Sequence, residues 1–556
     1  MQTAQKWLAQ TDNQSVLILL IGGLLFRTIV AFWLYPGFDE TYYYLYTLHL
    51  DLSYFDHPVL VALITGLGPW LTGDVSQFTI RFGALILHTG SLLLLYLTSA
   101  RLFSAKAARF TLAIATIIPI FQIGFGVLTL PDNPLIFFWS ASLYCAADEF
   151  FPLQKSSLGD RGFHSTAYQP TYRLALLGVL VGLACLGKYH GFILGVGLIG
   201  FCLMSARYRP ALLSPWAWLG LGLFVVTISP ILIWNFQHDW ISFRFQLSLR
   251  FQSEPGVVKH RSYKPLKVVL VFLSTLAYLF PTLGLPLWWV SLRSLFTQTT
   301  QLFSQKVFND EDYFRQKQLL ILWVSLPLTL GFTLLGGREQ ILPTWSLPGF
   351  WGLTVLLGQQ AVIWQQQSKR WVRRWLQGSG IIIGTALLVA LLHVTTGTLQ
   401  TGSQYAVLGG FLAAKDDPST ELIDVEQLRR SFADSPVLSA ALQNSSFVFS
   451  NSYYLSGPIG MALTPLFHTP VTCFSEDMRG FAFWSRPEQW LGKDALYITI
   501  SRFHKMKGLT DEFRTYFSSL QEIATVPMRR GGVVTEVFYV YQAKTLLKPY
   551  PRLYGI

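Results

Sequence analysis

Gly37-Phe38-Asp39-Glu40-Thr41-Tyr42-Tyr43-Tyr44 follows directly on the apolar run 15–35. That run is long enough to cross a hydrocarbon core of ~30 Å, so the acidic pair stands where the chain leaves a bilayer. Carboxylates in such a place are expensive to hold and are usually kept for chemistry or ion handling. The tyrosines that follow fit a helix lying at the membrane interface. Lys6 precedes the apolar run and no small-residue cleavage site follows it, so a retained first span is expected.

Working outward, apolar stretches of similar length recur at 81–100, 110–128, 133–149, 172–187, 191–205, 212–234, 267–291, 318–336, 346–363 and 377–398. The expectation is a polytopic α-helical membrane protein with about eleven spans (eleven to thirteen). The Gly- and Pro-containing stretch 59–71 is expected to be interfacial or re-entrant. Composition agrees: 13% of the 556 residues are charged and 51% hydrophobic, against roughly 25% charged in soluble domains.

Short-loop Lys and Arg set the orientation. Arg101, Lys106, Arg109, Lys155, Arg161, Arg207, Arg209, Arg293, Lys306, Arg315, Lys317 and the run Lys369-Arg370-Trp371-Val372-Arg373-Arg374 fall on one side. That side is expected to be cytoplasmic, with Asp39-Glu40 and everything after residue 400 facing out of a bacterial plasma (inner) membrane. Loop 235–265 breaks the bias with Arg244, Arg250, Lys259, Arg261 and Lys264; a bound anion or anionic headgroups would both account for it. The net charge of +12 belongs to the membrane part. Residues 400–556 hold 15 Lys and Arg against 14 Asp and Glu, so no basic stripe argues for nucleic acid. Cys145, Cys185 and Cys202 lie in expected spans and only Cys473 outside, which excludes a disulfide framework.

The division expected is 1–400 in the membrane and 401–556 as an α/β domain outside it. Within the second part, 422–432 reads as an amphipathic helix, and 446–450, 495–501 and 533–542 read as strands. The aromatic run 480–484 is either its core or a surface that caps the membrane site.

Polar groups recur on the expected outer side: Asp39-Glu40; Tyr54-Phe55-Asp56-His57-Pro58; Asp132, between Pro131 and Asn133-Pro134; Lys188-Tyr189-His190-Gly191; and Trp345. Each has a plainer reading. Asp132 would cap the next helix, Lys188 would snorkel to headgroups, His57 would be a loop residue, and Arg81 would anchor its span. Together they suit transfer from a lipid-linked phosphosugar. A carboxylate there would serve as general base, and cations would stabilise the phosphate as it leaves. Arg244 or Arg250 would grip that phosphate bidentately, Lys188 as a point charge. No Gly-rich phosphate loop or zinc spacing appears. A divalent metal on Asp39-Glu40 stays open, although two carboxylates alone make an incomplete site.

Four motifs in order, D-E-x-Y-Y-x-x-Y from Asp39, L-x-L-S-Y-F-D-H-P-V-L from Leu50, P-D-N-P-L-I-F-F-W from Pro131 and G-K-Y-H-G from Gly187, resemble the bacterial branch of the protein O-mannosyltransferase-like glycosyltransferases. This branch belongs to the GT-C class, with the lipid A aminoarabinose transferases. Leu342-Pro343-Thr344-Trp345 resembles a late loop of that branch, and 447–454 with 479–484 its outer domain. The resemblance implies an inverting transferase that takes its sugar from a polyprenyl-phosphate donor at the outer membrane face. Asp39 then matches the catalytic base and Glu40 its usual neighbour. His57 falls near the lipid phosphate, with Arg81, Lys188, Arg244 and Arg250 as further phosphate contacts. Tyr43, Tyr54, Asp56, Asp132, His190 and Trp345 would line the pocket. The chain has His57-Pro58-Val59 where many relatives have His-Pro-Pro, and it lacks a β-trefoil insertion. That absence argues for a lipid or glycan acceptor over a protein. The rival from another class is a flippase or transporter of an anionic prenyl lipid, for which matching inverted halves are not seen. A third reading, an O-antigen-ligase-like enzyme, differs in using a diphosphate-linked donor.

Overall fold

A computed structural model describes residues 11–152, 168–247, 262–299, 310–552 and 554. Each expected span coincides with a helix. Asn13–Trp33, Thr79–Leu102, Pro215–Gln237, Asp312–Leu335 and Lys369–Thr396 are by themselves long and apolar enough to cross a membrane. The others are shorter, broken, or more polar, as Leu347–Gln367 is with its five glutamines. Two breaks correct the expectation of continuous spans. The stretch 110–128 divides into Ala105–Ile117 and Pro119–Gln122, and 267–291 into Pro265–Leu279 and Pro281–Thr299, bent by 120°. Both breaks fall at a proline, which lacks the N–H for the helical ladder and disfavours helical geometry in the residue before it. Ile118 is accordingly extended, at ψ 120°, and Phe280 has φ +66°.

Between the first two spans the chain forms the first-loop helix Phe38–Tyr46 and the short helix Leu60–Thr72, which covers the stretch expected to be interfacial. The first-loop helix does not lie bare on the bundle. Tyr42, Tyr43, Tyr44, Leu45 and Tyr46 share one buried apolar cluster with the C-terminal domain, including Phe447, Leu455, Phe481 and Tyr497. The membrane bundle has its own large cluster, which includes Trp139, Trp351 and Phe350.

The C-terminal domain is a five-stranded sheet in the order β2-β1-β3-β5-β4: β1 Phe447–Ser450, β2 Val471–Cys473, β3 Ala495–Ile500, β4 Phe517–Arg530 and β5 Val533–Leu546. β1, β2 and β3 run parallel, and β5 and β4 close one edge as an antiparallel pair. The expected strands are β1, β3 and β5. β2 has only three residues. β4 escapes a simple alternation because its register shifts twice, between Glu522 and Ala524 and between Met528 and Arg529, and because it contains Pro527, tolerated on an edge strand. The expected amphipathic helix appears as Val425–Asp434. Asp424 caps it by accepting from Gln427 N at 2.9 Å, and Val425, Leu428 and Phe432 are buried. All four cysteines are free and buried.

A buried polar clasp joins this domain to the last span. Asp417 Oδ2 lies 3.0 Å from His393 Nε2 on the helix Lys369–Thr396 and accepts from Arg530 Nη1 at 3.1 Å. Its other oxygen accepts from Ser419 N at 2.9 Å and Ser419 Oγ at 2.6 Å. Burial pushes the Asp417 carboxyl up, but the Ser419 hydrogen bonds and the charges of His393 and Arg530 outweigh it and hold the group below its ordinary range. Asp417→Ala leaves Arg530 buried without its partner, a loss of roughly 3–5 kcal/mol. It is read as a lower thermal midpoint and faster amide exchange in β4 and β5. Because the carboxyl is depressed in the folded state, its contribution is complete above about pH 4 and is lost as pH falls further.

Candidate active-site cavity

Glu40 and Arg81 form a buried, bidentate pair. Arg81 Nε donates to Glu40 Oε1 at 2.8 Å and Nη2 to Oε2 at 2.7 Å. Glu40 also accepts from Gly37 N at 2.9 Å, at the start of its own helix, and from Thr129 N at 3.0 Å. Arg81 donates in addition to the carbonyls of Ala31 (3.1 Å), Leu34 (2.6 Å) and Tyr35 (3.2 Å). These belong to the last turn and exit of the first span, where helix carbonyls have no intrahelical partner. One ion pair thus ties the end of the first span, the first-loop helix, the start of the second span and the turn at 129. Both side chains lie outside the cavity lining.

Asp39 lies one residue and ~100° round the helix from Glu40 and faces a cavity of about 330 Å³. Tyr43, four residues on and on the same helix face, lines it too, as do His57, Asp132, Lys188, His190 and Trp345. Burial, and then the Asp39 and Asp56 carboxylates, push the Tyr43 phenol well above its ordinary value, so it stays a hydroxyl donor at neutral pH.

Lys188 Nζ donates to both oxygens of Asp132, at 2.9 and 2.8 Å. The sequence brings them together by close helix packing. A Cβ on Gly187 would stand 2.7 Å from Leu135 N, and one on Gly191 2.4 Å from Cys185 N. Gly187 therefore permits the approach that places Lys188 over the first turn of the helix Asp132–Phe150, while Gly191 lets the chain turn back tightly over Cys185. Asn133 fixes that turn, accepting from Leu130 N at 2.6 Å and donating to Phe125 O at 2.8 Å. The imidazole of His57 meets the Tyr43 ring edge-on at 5.5 Å, and that of His190 stacks on Phe332 at 5.0 Å.

Three other expected pocket or phosphate residues are placed elsewhere. Tyr54 stacks on Tyr46 at 3.9 Å and donates to Tyr46 O at 3.1 Å, in the shared core. Asp56 is buried beneath the C-terminal domain, accepting from Tyr46 Oη, from Tyr42 Oη at 3.4 Å and from Arg479 Nη1 at 3.3 Å. Arg244 is exposed on the helix Ile241–Leu247, off the lining, and Arg250 lies outside the described residues. Gln246, from the same helix as Arg244, does line the cavity and donates to Asp56 O at 2.8 Å. Nothing in the sequence marks Gln246 or Phe332 as lining residues, and Arg479 stands out only as the start of the 479–484 stretch. Asp39 and Glu40 serve different surroundings, so they do not make a joint cation site. Among the described residues no group of three or more His, Cys, Asp and Glu comes together.

Residues 56–150 and 163–234 match the family described as dolichyl-phosphate-mannose-protein mannosyltransferase. Over 348 residues the chain is 24% identical to the lipid A galacturonosyltransferase RgtD of Rhizobium johnstonii, covering 62% of this chain and 64% of that protein. Over 112 residues it is 30% identical to the undecaprenyl phosphate-alpha-4-amino-4-deoxy-L-arabinose arabinosyl transferase of Erwinia tasmaniensis, covering 19% of this chain and 20% of that one. The chain therefore spans less than two thirds of the length of either curated relative. Its fold is that of ArnT from Cupriavidus metallidurans. The apo structure superposes with a TM-score of 0.59 at 13% identity over 96% of this chain and 98% of ArnT. The structure bound to undecaprenyl phosphate gives the same score over 94% and 97%. The chain is thus similar over part of its length to a mannosyltransferase family and to a lipid A galacturonosyltransferase, and it shares the fold of ArnT.

Proposed function

We propose that the chain is an inverting glycosyltransferase that moves one sugar from a polyprenyl-phosphate donor to a lipid or glycan acceptor at the outer membrane face. The observation that carries this reading is the shared cavity, in which Asp39 and the Lys188–Asp132 pair line one space with two imidazoles. The Lys and Arg bias of the loops supports the outer orientation. The names of the relatives support a lipid A-type acceptor and an undecaprenyl-phosphate-linked donor.

In this reading the acceptor oxygen attacks the anomeric carbon from the face opposite the phosphate. Asp39 takes the hydroxyl proton as the new bond forms, and the sugar–phosphate bond breaks with its electron pair on the phosphate. Lys188 and His57 hold that growing charge, a stabilisation worth most in a site that excludes water. Asp132 keeps the ammonium of Lys188 in place. Tyr43 donates its hydroxyl beside Asp39. Where the acceptor is itself a phosphate, already ionised at neutral pH, Asp39 positions it instead of taking a proton. Glu40 and Arg81 act behind the cavity wall, as the staple that aims Asp39.

The first test is product analysis with purified protein, membrane lipid extract and a panel of polyprenyl-phosphate sugars. Wild type consumes one donor and yields a glycosylated product. Asp39→Asn loses roughly 10²–10⁴-fold in turnover on a hydroxyl acceptor while still binding donor. Undiminished turnover in that variant removes the base role; transport of intact lipid with no turnover by wild type removes the transferase reading.

Glu40→Gln separates staple from chemistry. Leaving Arg81 buried without its counter-charge costs roughly 3–5 kcal/mol, read as a lower thermal midpoint in detergent. Product formation falls with it, although Glu40 does not face the cavity. An unchanged midpoint would rule the staple out.

A further inference from the structure

The C-terminal domain brings a guanidinium against the helix that carries Gln246, a residue of the cavity lining. Arg479, just before the helix Phe481–Trp484, has φ +48°. A residue with a side chain keeps that left-handed conformation only where its surroundings enforce it. Here Arg479 N donates to Tyr554 Oη at 2.9 Å, and the next residue, Gly480, donates to Tyr42 Oη at 2.8 Å. The guanidinium lies 4.0 Å from the centre of the Tyr453 ring and 5.6 Å from that of Phe245. Nη1 donates to Asp56 at 3.3 Å and Nε to Asp477 at 3.4 Å. No described residue takes up the Nη2 hydrogens, and 20% of the side chain stays exposed.

The neighbours of Arg479 connect it to the cavity lining. Gln246, next to Phe245, lines the cavity and donates to the backbone of Asp56, whose carboxylate Arg479 holds. Tyr43, in the lining, and Tyr453, under the guanidinium, both feel Asp39 and Arg479. The carboxylate raises each phenol's pKa and the guanidinium lowers it. A pin between domains would need only the two edges already used. The third, open edge belongs to a planar fork that stacking and backbone conformation have already oriented, the geometry that suits a phosphate.

We propose that Arg479 is a specificity-determining residue whose open Nη2 edge receives a phosphate group of the acceptor at the cavity rim, while its Nη1 edge holds Asp56. The proposal rests on the transferase reading for its acceptor and on the C-terminal domain for its geometry. Asp56 in turn accepts from Tyr42 and Tyr46 of the helix that carries Asp39, so an acceptor held by Arg479 stands beside a helix already aligned by the same side chain.

The test measures binding of two probes to the full-length protein in nanodiscs without donor: phosphorylated lipid A, and the same lipid A after dephosphorylation. Polyprenyl phosphate is titrated separately. Wild type binds the phosphorylated lipid more tightly. Arg479→Gln weakens that lipid alone by roughly ten- to hundredfold, the range for a charged hydrogen bond, and leaves polyprenyl phosphate unchanged. Arg479→Lys, which keeps the charge without the fork, recovers part of the loss and serves where the glutamine variant does not fold. Equal weakening for both lipid A forms would reduce Arg479 to a pin and overturn the proposal. So would no preference in wild type, or a loss confined to polyprenyl phosphate, which would put the residue on the donor side. A wild type that binds phosphorylated lipid A through Arg479 yet transfers no sugar from any donor would overturn the transferase reading and leave the anion site standing.

Discussion

A carboxylate and a guanidinium buried together, Glu40 against Arg81, hold the rest of the site in place. Neither charge would tolerate its position alone, since an unpaired ion away from water carries a penalty of several kcal/mol even after relaxation. The pair is tolerable because its hydrogen-bonding capacity is met: two charged contacts between the partners, two backbone amides on the carboxylate and three carbonyls on the guanidinium. Those backbone groups come from three segments, and Arg81 itself from a fourth, so satisfying the pair fixes the four relative to one another. Asp39 inherits its direction from this arrangement. Two adjacent acids thereby take different tasks, one structural and one facing the cavity.

The same helix explains why the C-terminal domain matters to the membrane part. Tyrosines suit a surface buried on one side and polar at the tip, provided each hydroxyl finds a partner. Tyr42 and Tyr46 both find Asp56, and Tyr42 also accepts from Gly480. Gly457 allows the helix Tyr453–Phe467 to approach closely; a Cβ there would stand 2.7 Å from Thr41 Oγ1 and 2.9 Å from Tyr42 N. The first loop is thus part of the C-terminal domain's core as much as it is an exit from the membrane. The aromatic run 480–484 resolves the choice left open by sequence. Phe481 and Ala482 are buried, while Trp484 packs on Tyr42, Tyr46 and His49, joining domain to loop.

Much of this was legible in the chain because membrane physics writes long signals. Apolar runs of span length, basic short loops and the D-E-x-Y-Y motif need no tertiary information. The breaks at Pro119 and Pro281 were also on view, since proline's effect is local. What escaped was pairing. Asp132 and Lys188 are 56 positions apart, and nothing in either neighbourhood names the other, although Gly187 hints that two helices touch there. Asp39 and Glu40 look alike in sequence, and only the direction of a helical turn separates them. Arg81 reads as an anchor or a phosphate ligand until its partner is seen. Arg479 opens a stretch that the resemblance marks, but it occupies a backbone conformation that glycine usually signals, so its special place does not show in the pattern.

In the proposed transferase, the Lys188–Asp132 pair would shape the demands on turnover. A lysine free in the cavity would bind the donor phosphate and the departing polyprenyl phosphate strongly, and binding both alike does nothing for the chemical step. Held by Asp132, Lys188 stays in position with much of its field already cancelled. The additional attraction it offers grows only as charge accumulates on the phosphate during bond breaking. After transfer, in that reading, Asp132 would compete for the ammonium and weaken the hold on the spent lipid carrier. An ion pair at the end of the cavity therefore fits a reaction that must stabilise a leaving phosphate briefly and then release it to the bilayer.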